Sequence, residues 1–249
     1  MAIKCDTSDE KQHTTATAKD RVIGMTSPQW AEGAMARSDT ERLIDELRRR
    51  IVSHELPPGS RLKECQIAEE FSASRARVRD AFGVLEERGL IERIPNRGAV
   101  VTRLEVDRIQ ELFVVREFLE AAMVRLATER ASPEIWDELL DVFGDQLDVA
   151  VAENDFNAYM AAIATFRSTC ISAAGNDTLR SLLDSIYDRV QVMTRRLVLV
   201  PGRAAVGLRQ HREILEAMRA GNADLAEQLK RDNIRSAAEW FQKYKSFLL

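Results

Sequence analysis

The chain has 249 residues, 45% of them hydrophobic and 31% charged, with 11 glycines, 6 prolines and a formal net charge of −4. That is enough apolar residue for one large domain or two modest ones, and the scarcity of Gly and Pro favours helix. No apolar run has membrane-spanning length, and the opening MAIKCDTSDEKQ is polar and predicts no secretory signal. Cys5, Cys65 and Cys170 are odd in number and far apart, so neither a disulfide framework nor a zinc site is expected, and a reducing cytoplasm fits.

The charge is unevenly spread. Residues 37–103 carry a net +2 and residues 104–249 a net −5. Seven arginines fall between 75 and 103: Arg75, Arg77, Arg79, Arg88, Arg93, Arg97 and Arg103. A local basic patch on an acidic chain is the electrostatic footprint of a nucleic-acid contact.

In chain order, residues 1–36 are rich in Thr, Ala, Ser and Lys without apolar periodicity, and read as a disordered tail with Trp30 outside any folded element. Asp39 is read as the N-cap of a first helix, with Leu43, Ile44, Leu47 and Ile51 at helical spacing. Leu56-Pro57-Pro58-Gly59 stops it. A short helix near Glu64–Phe71, a turn Ser72-Ala73-Ser74 and a third helix from Arg75 to Arg88 follow, ended by Gly89. Two short β-like runs, Leu90–Ile94 and Ala99–Thr102, flank the tip Pro95-Asn96-Arg97-Gly98. From Leu104 onward six helical patterns and no strand are read. The first is marked by Ile109, Leu112, Phe113, Leu119, Ala122, Met123 and Leu126. Ser132-Pro133 opens the second, which runs to Glu153. Asp155 caps the third, Asn176 or Asp177 the fourth, and two more lie either side of Gly221. The expectation is a mainly α protein in three pieces. These are a tail at 1–36, a winged helix-turn-helix at 37–103 and an antiparallel six-helix bundle at 104–249.

A helix-turn-helix enters the major groove with the leading end of its second helix. There Arg75 and Arg79 are four apart with Arg77 between them, while Val78, Phe82 and Leu85 mark the opposite, core-facing side. Arg suits guanine edges and phosphates. Ser74 caps this helix, and N–H groups at its start can meet a phosphate. Arg97, on the Gly98-flanked wing tip, can reach an adjacent minor groove or backbone. A charge run is usually a solvated helix face. Here the element order, the turn and the wing agree with one another, which favours DNA.

The stretches Ile51–Leu62, Glu64–Ala68, Ser74-Arg-Ala-Arg-Val-Arg79, Leu85–Ile91 and Arg97-Gly98 resemble the winged helix-turn-helix of the GntR superfamily of bacterial regulators. The resemblance implies DNA contacts at Ser74, Arg75, Arg79 and Gly98. Where the family has Thr-Pro or a similar pair after Ser-Arg, this chain has Ala76-Arg77, so a contact by Arg77 is an added expectation. The second half resembles the FadR-type effector domain, often called FCD, through Arg116–Glu120 with Leu126-Ala127, Phe166 with Ala173–Asn176, and Gln210–Met218 with Gly221 and Ala226.

Many members of that subfamily hold a divalent metal with one Asp and three His. The resemblance places those positions at Ile163, Arg167, His211 and Asn233. One imidazole and an amide do not make a tight transition-metal site, so no metal and no cofactor is expected. A guanidinium is itself a receptor for carboxylate or phosphate. Arg167, with Arg116, His211 and Asn233, is therefore read as anchoring an anionic effector. The competing reading is that Arg167 is ion-paired to an acid of a neighbouring helix.

The resemblance implies a homodimer on double-stranded operator DNA, acting as a repressor that answers a small-molecule effector, with a carboxylate as the expected class, in the cytoplasm and away from membranes. A ligand-blind repressor with a degenerate sensor is the alternative. An enzyme is not expected. The histidines are His13, His54 and His211, and no nucleophile–base set, Gly-rich phosphate loop or HExxH is present.

Overall fold

The computed structural model describes residues 38–103 and 105–248. The tail read over 1–36, with Cys5, His13 and Trp30, lies outside the described residues.

Ser38, one residue before the expected cap, starts α1 (Asp39–Val52). Its hydroxyl accepts from Glu41 N, and the Glu41 carboxylate accepts from Ser38 N at 2.7 Å, a reciprocal capping box. Leu43, Ile44, Leu47 and Ile51 are buried as their spacing requires. β1 (Arg61–Leu62), α2 (Glu64–Glu70), α3 (Arg75–Glu87), β2 (Ile91–Ile94) and β3 (Gly98–Val101) follow. The three strands form one antiparallel sheet in the order β1-β3-β2, with Leu62 opposite Ala99 and Arg93 opposite Ala99 on its other side. Strand β1 is too short to carry a two-residue alternation and was not legible in the sequence. Gly59 N donates to Val101 O at 2.8 Å and Val101 N to Ser60 O at 2.9 Å, which ties the turn before β1 to β3.

From residue 106 the structure is helical: α4 (Val106–Arg130), a 3-10 turn (Pro133–Trp136), α5 (Asp137–Val142), α6 (Asp145–Ala152), α7 (Phe156–Ala174), α8 (Asp177–Val198), α9 (Arg203–Arg219) and α10 (Ala223–Leu248). The second of the six helical patterns is thus broken at Phe143-Gly144. Phe143 is wholly buried, and Gly144 is extended. Arg212 of α9 donates to both carbonyl oxygens, so tertiary contacts occupy groups that a continuous helix would use. The expected caps hold elsewhere: Asp155 accepts from Asn157 N and Ala158 N, and Asn176 accepts from Leu179 N. Helix α4 runs along α10 and α7, with Val124, Ala127, Phe166, Ile214 and Met218 inside.

The winged part has its own core of Leu43, Leu47, Val78, Phe82, Leu85 and Ile91, and Val192 of α8 is buried with it. Beside Val192, the buried Asp188 accepts from Arg48 of α1 and lies 3.5 Å from Arg88. Arg196 donates to His54 at 3.3 Å. Helix α8 therefore closes one side of the winged part and one side of the bundle.

Candidate functional site

Two sites emerge. In the first, Ser74 caps α3 by accepting from Arg77 N at 3.2 Å, and Val78, Ala81, Phe82 and Leu85 are buried. That fixes the opposite face, so Arg75 and Arg79 stand exposed at its leading end. Arg79 is 3.8 Å from Glu64. Arg77 is half-buried and turned toward Asp39 of α1 at 3.4 Å. At the wing, Asn96 and Gly98 both have positive φ (64° and 79°), and Arg97 is exposed between them. A Cβ on Gly98 would meet nothing within 4 Å, so the conformation and not crowding asks for glycine there. Arg75, Arg79 and Arg97 thus form the outward basic surface. Arg88 is drawn to Asp188 and Arg93 pairs with Glu86 at 3.2 Å.

The second site is a cavity of about 80 Å³ within the bundle, bounded by α4, α7, α8, α9 and α10. Arg116, Arg167, His211 and Asn233 all line it, and so do Glu120, Arg203, Lys230 and Tyr159. Arg116 Nε donates to Glu120 at 2.7 Å, and Lys230 Nζ reaches the other Glu120 oxygen at 2.9 Å. Burial pushes the Glu120 carboxyl up, but Arg116 and Lys230 outweigh it and hold it at about 2. Asn233 donates to Gln210 at 3.0 Å. Arg167 donates to Asp184 of α8 at 2.7 Å, with its guanidinium 3.9 Å above the Tyr187 ring.

His211 is buried among Phe143, stacked at 5.3 Å, and the edges of Phe166 and Tyr159. Burial, then the charge of Lys230, lowers its pKa to about 3, so the ring is neutral at ordinary pH. Arg203 is buried, and its Nε and Nη1 have no hydrogen-bond partner. Sequence reasoning missed Arg203 and Lys230. A signal existed for Arg203: it is a cation at the first position of a helix whose opening turn holds no acid, against the helix dipole.

The donor set does not fit a divalent metal. Among the described residues no three His, Cys, Asp or Glu side chains converge. At the family's ligand positions stand an aliphatic Ile163 and an ion-paired Arg167, and the Lys230 ammonium faces the same space.

Residues 39–101 match the family described as bacterial regulatory proteins, gntR family, and residues 111–236 match the FCD domain. The HTH-type transcriptional repressor RspR of Escherichia coli K12 is 27% identical over 197 residues, covering 78% of this chain and 84% of that protein. A probable D-xylose utilization operon transcriptional repressor of Paenarthrobacter nicotinovorans is 29% identical over 181 residues, 71% of this chain and 77% of that protein. Among solved structures, a putative GntR regulator from Rhodococcus sp. RHA1 superposes with a TM-score of 0.68 at 28% identity, over 83% of this chain and 99% of that one. Escherichia coli McbR/YncC shares the fold, with a TM-score of 0.70 at 20% identity over 84% and 99% of the two chains. Basic recognition helix, wing and cavity-bearing bundle thus coincide with the two matched families, and the chain belongs to the GntR family of DNA-binding transcription regulators with an FCD effector domain.

Proposed function

We propose that the protein is a cytoplasmic, homodimeric repressor whose operator grip is set by a small anion bound in the bundle cavity without a metal. The observation that carries the anion reading is the charge of that cavity. Three cations, Arg116, Lys230 and Arg203, share it with the single carboxylate of Glu120, and Arg167 is matched by Asp184. A buried cation without a partner is costly, and an anionic ligand removes that cost. The formed cavity supports a sensor over a ligand-blind repressor.

At the operator, Arg75 and Arg79 face base edges and phosphates, Ser74 and the start of α3 meet the backbone, and Arg97 with Gly98 enters from the wing. Arg77 divides its charge between Asp39 and the DNA. The effector acts through α8. Leu183, Ile186, Tyr187, Val190 and Gln191 line the cavity, and Asp188 and Val192 grip the winged part. Occupancy that shifts α8 by a fraction of a turn changes the spacing of two recognition helices, which is a population shift and needs no new contact at the DNA.

Dimerisation is supported by α4, where Val114, Val115 and Phe118 form an exposed apolar face. A second copy covers it by two-fold symmetry, matching a pseudo-palindromic operator. Phe118→Asp is expected to give monomers in sedimentation and to weaken operator binding with the fold intact.

The deciding experiment is an operator fragment retained by the purified protein and titrated with carboxylates and phosphates in the presence of chelator. Release by one such anion, unchanged by chelator, is expected. Release that needs zinc or nickel sinks the metal-free reading.

A further inference from the structure

Helix α9 places Arg203, Gly207 and His211 four residues apart on one stripe, and Arg203 and His211 line the cavity. A Cβ on Gly207 would lie 2.2 Å from Tyr159 Oη and 3.0 Å from Arg203 Nη1. The guanidinium and the phenol therefore converge over the one position that has no side chain. Internal packing leaves Arg203 unexplained. It is 7% exposed, and neither Nε nor Nη1 is hydrogen-bonded. It sits at the positive end of its helix. Burial disfavours its charge and the like-charged Arg116 adds to that, while burial pushes the Tyr159 phenol up and keeps it neutral at ordinary pH.

His211 shows which ligand group lies next to that cation. Its Nδ1 is 2.7 Å from Gly207 O. A carbonyl only accepts, so Nδ1 carries the hydrogen and Nε2 of the neutral ring is left as an acceptor. Nε2 is buried and has no partner. The guanidinium lies beside residue 207 and the imidazole hangs from the carbonyl of the same residue. The two therefore flank the same residue of α9 and face the same cavity.

We infer that the effector is a short-chain hydroxy acid whose carboxylate is held by Arg203 Nη1 and whose hydroxyl donates to His211 Nε2. This rests on the anion reading above and deepens it. Nη1 is the orphaned donor that lies beside Gly207, and a carboxylate oxygen there satisfies it with a charge-assisted hydrogen bond. A hydroxyl one or two carbons away reaches the imidazole. A second carboxylate there would meet a lone pair and be refused, so the site selects hydroxy acids over dicarboxylates. Size agrees. A water-sized group needs about 10–15 Å³ of such space, and a cavity of about 80 Å³ suits an acid of roughly three to four carbons.

Calorimetric titration of the full chain with matched probes tests this: both enantiomers of lactate and 3-hydroxybutyrate, against propionate, butyrate and propane-1,2-diol. At least one hydroxy acid is expected to bind about tenfold or more tighter than its deoxy partner, with no heat from the diol. Arg203→Met is expected to lose both acids. His211→Phe keeps the aromatic packing and is expected to bind hydroxy and deoxy acids alike. Equal affinity of wild-type protein for hydroxy and deoxy acids overturns the inference and leaves the anion reading standing. Silence toward every acid, in protein that still binds operator, overturns the inference, and silence toward inorganic phosphate as well overturns the anion reading. The comparison of acids on wild-type protein needs no variant to fold.

Discussion

Asp188 is a buried carboxylate shared by two arginines of the winged part, Arg48 and Arg88. Asp188→Asn keeps the shape and removes the charge, leaving two guanidinium groups facing an amide. It is expected to cost about 2 kcal/mol of stability, the scale of a charged hydrogen bond. It should also blunt ligand-induced operator release more than operator affinity itself. Thermal melts and release titrations on one preparation check both. His211 gives a pH signature. Its folded pKa of about 3 lies below the ordinary value of 6.5 because burial and then Lys230 disfavour its charged form. A lowered folded pKa means the folded state binds fewer protons, so this stability is full above 6.5 and lost progressively as pH falls toward 3. The charged groups facing it are Lys230, Arg203 and Glu120. The melting temperature should therefore fall between pH 7 and pH 5, and His211→Phe should flatten that slope. Residues of this kind were half legible in the sequence. His211, Arg116, Arg167 and Asn233 were picked out by the family resemblance, and all four line the cavity. Which cation is unpaired was not readable. That depends on Asp184 reaching Arg167 across α7 and α8, a contact with no signature in either segment.

Among the elements, α3 and the wing were legible because local rules dictate them: a Ser cap, an apolar face at helical spacing, and a tip of residues tolerant of positive φ. Arg75→Ala is expected to lower specific operator affinity at least about tenfold with the dimer intact. Arg77→Ala should cost less, since Asp39 already engages that guanidinium. Gel retardation of the two variants side by side decides the order, and an equal loss would place Arg77 fully on the DNA. The break at Phe143-Gly144 and the strand β1 were not legible. Arg212, about seventy residues away in sequence, takes the carbonyl groups that end α5. The pairing of β1 depends on the neighbouring β3 more than on its own two residues.

At the scale of the molecule, the balance of +2 over 37–103 against −5 over 104–249 places the attraction for DNA at one end of an acidic protein. Operator affinity should fall steeply with salt, and Arg97→Ala should reduce the slope of log affinity against log salt by about 2 per dimer, one phosphate contact from each wing. Affinity measured across a salt series gives that slope directly. The two-part organisation was legible from composition and periodicity. The join was not, because a helix with one face for each part reads in sequence as an ordinary amphipathic helix.

That join limits how freely the two parts can be exchanged. Winged part and bundle look like interchangeable modules, yet Val192 of α8 completes the core of the winged part and Asp188 neutralises its arginines. A chimera that sets residues 37–103 on a foreign effector domain takes away a core side chain and strands Arg48 and Arg88. Transplanting the specificity of this regulator therefore means carrying one stripe of α8 along with the reading head.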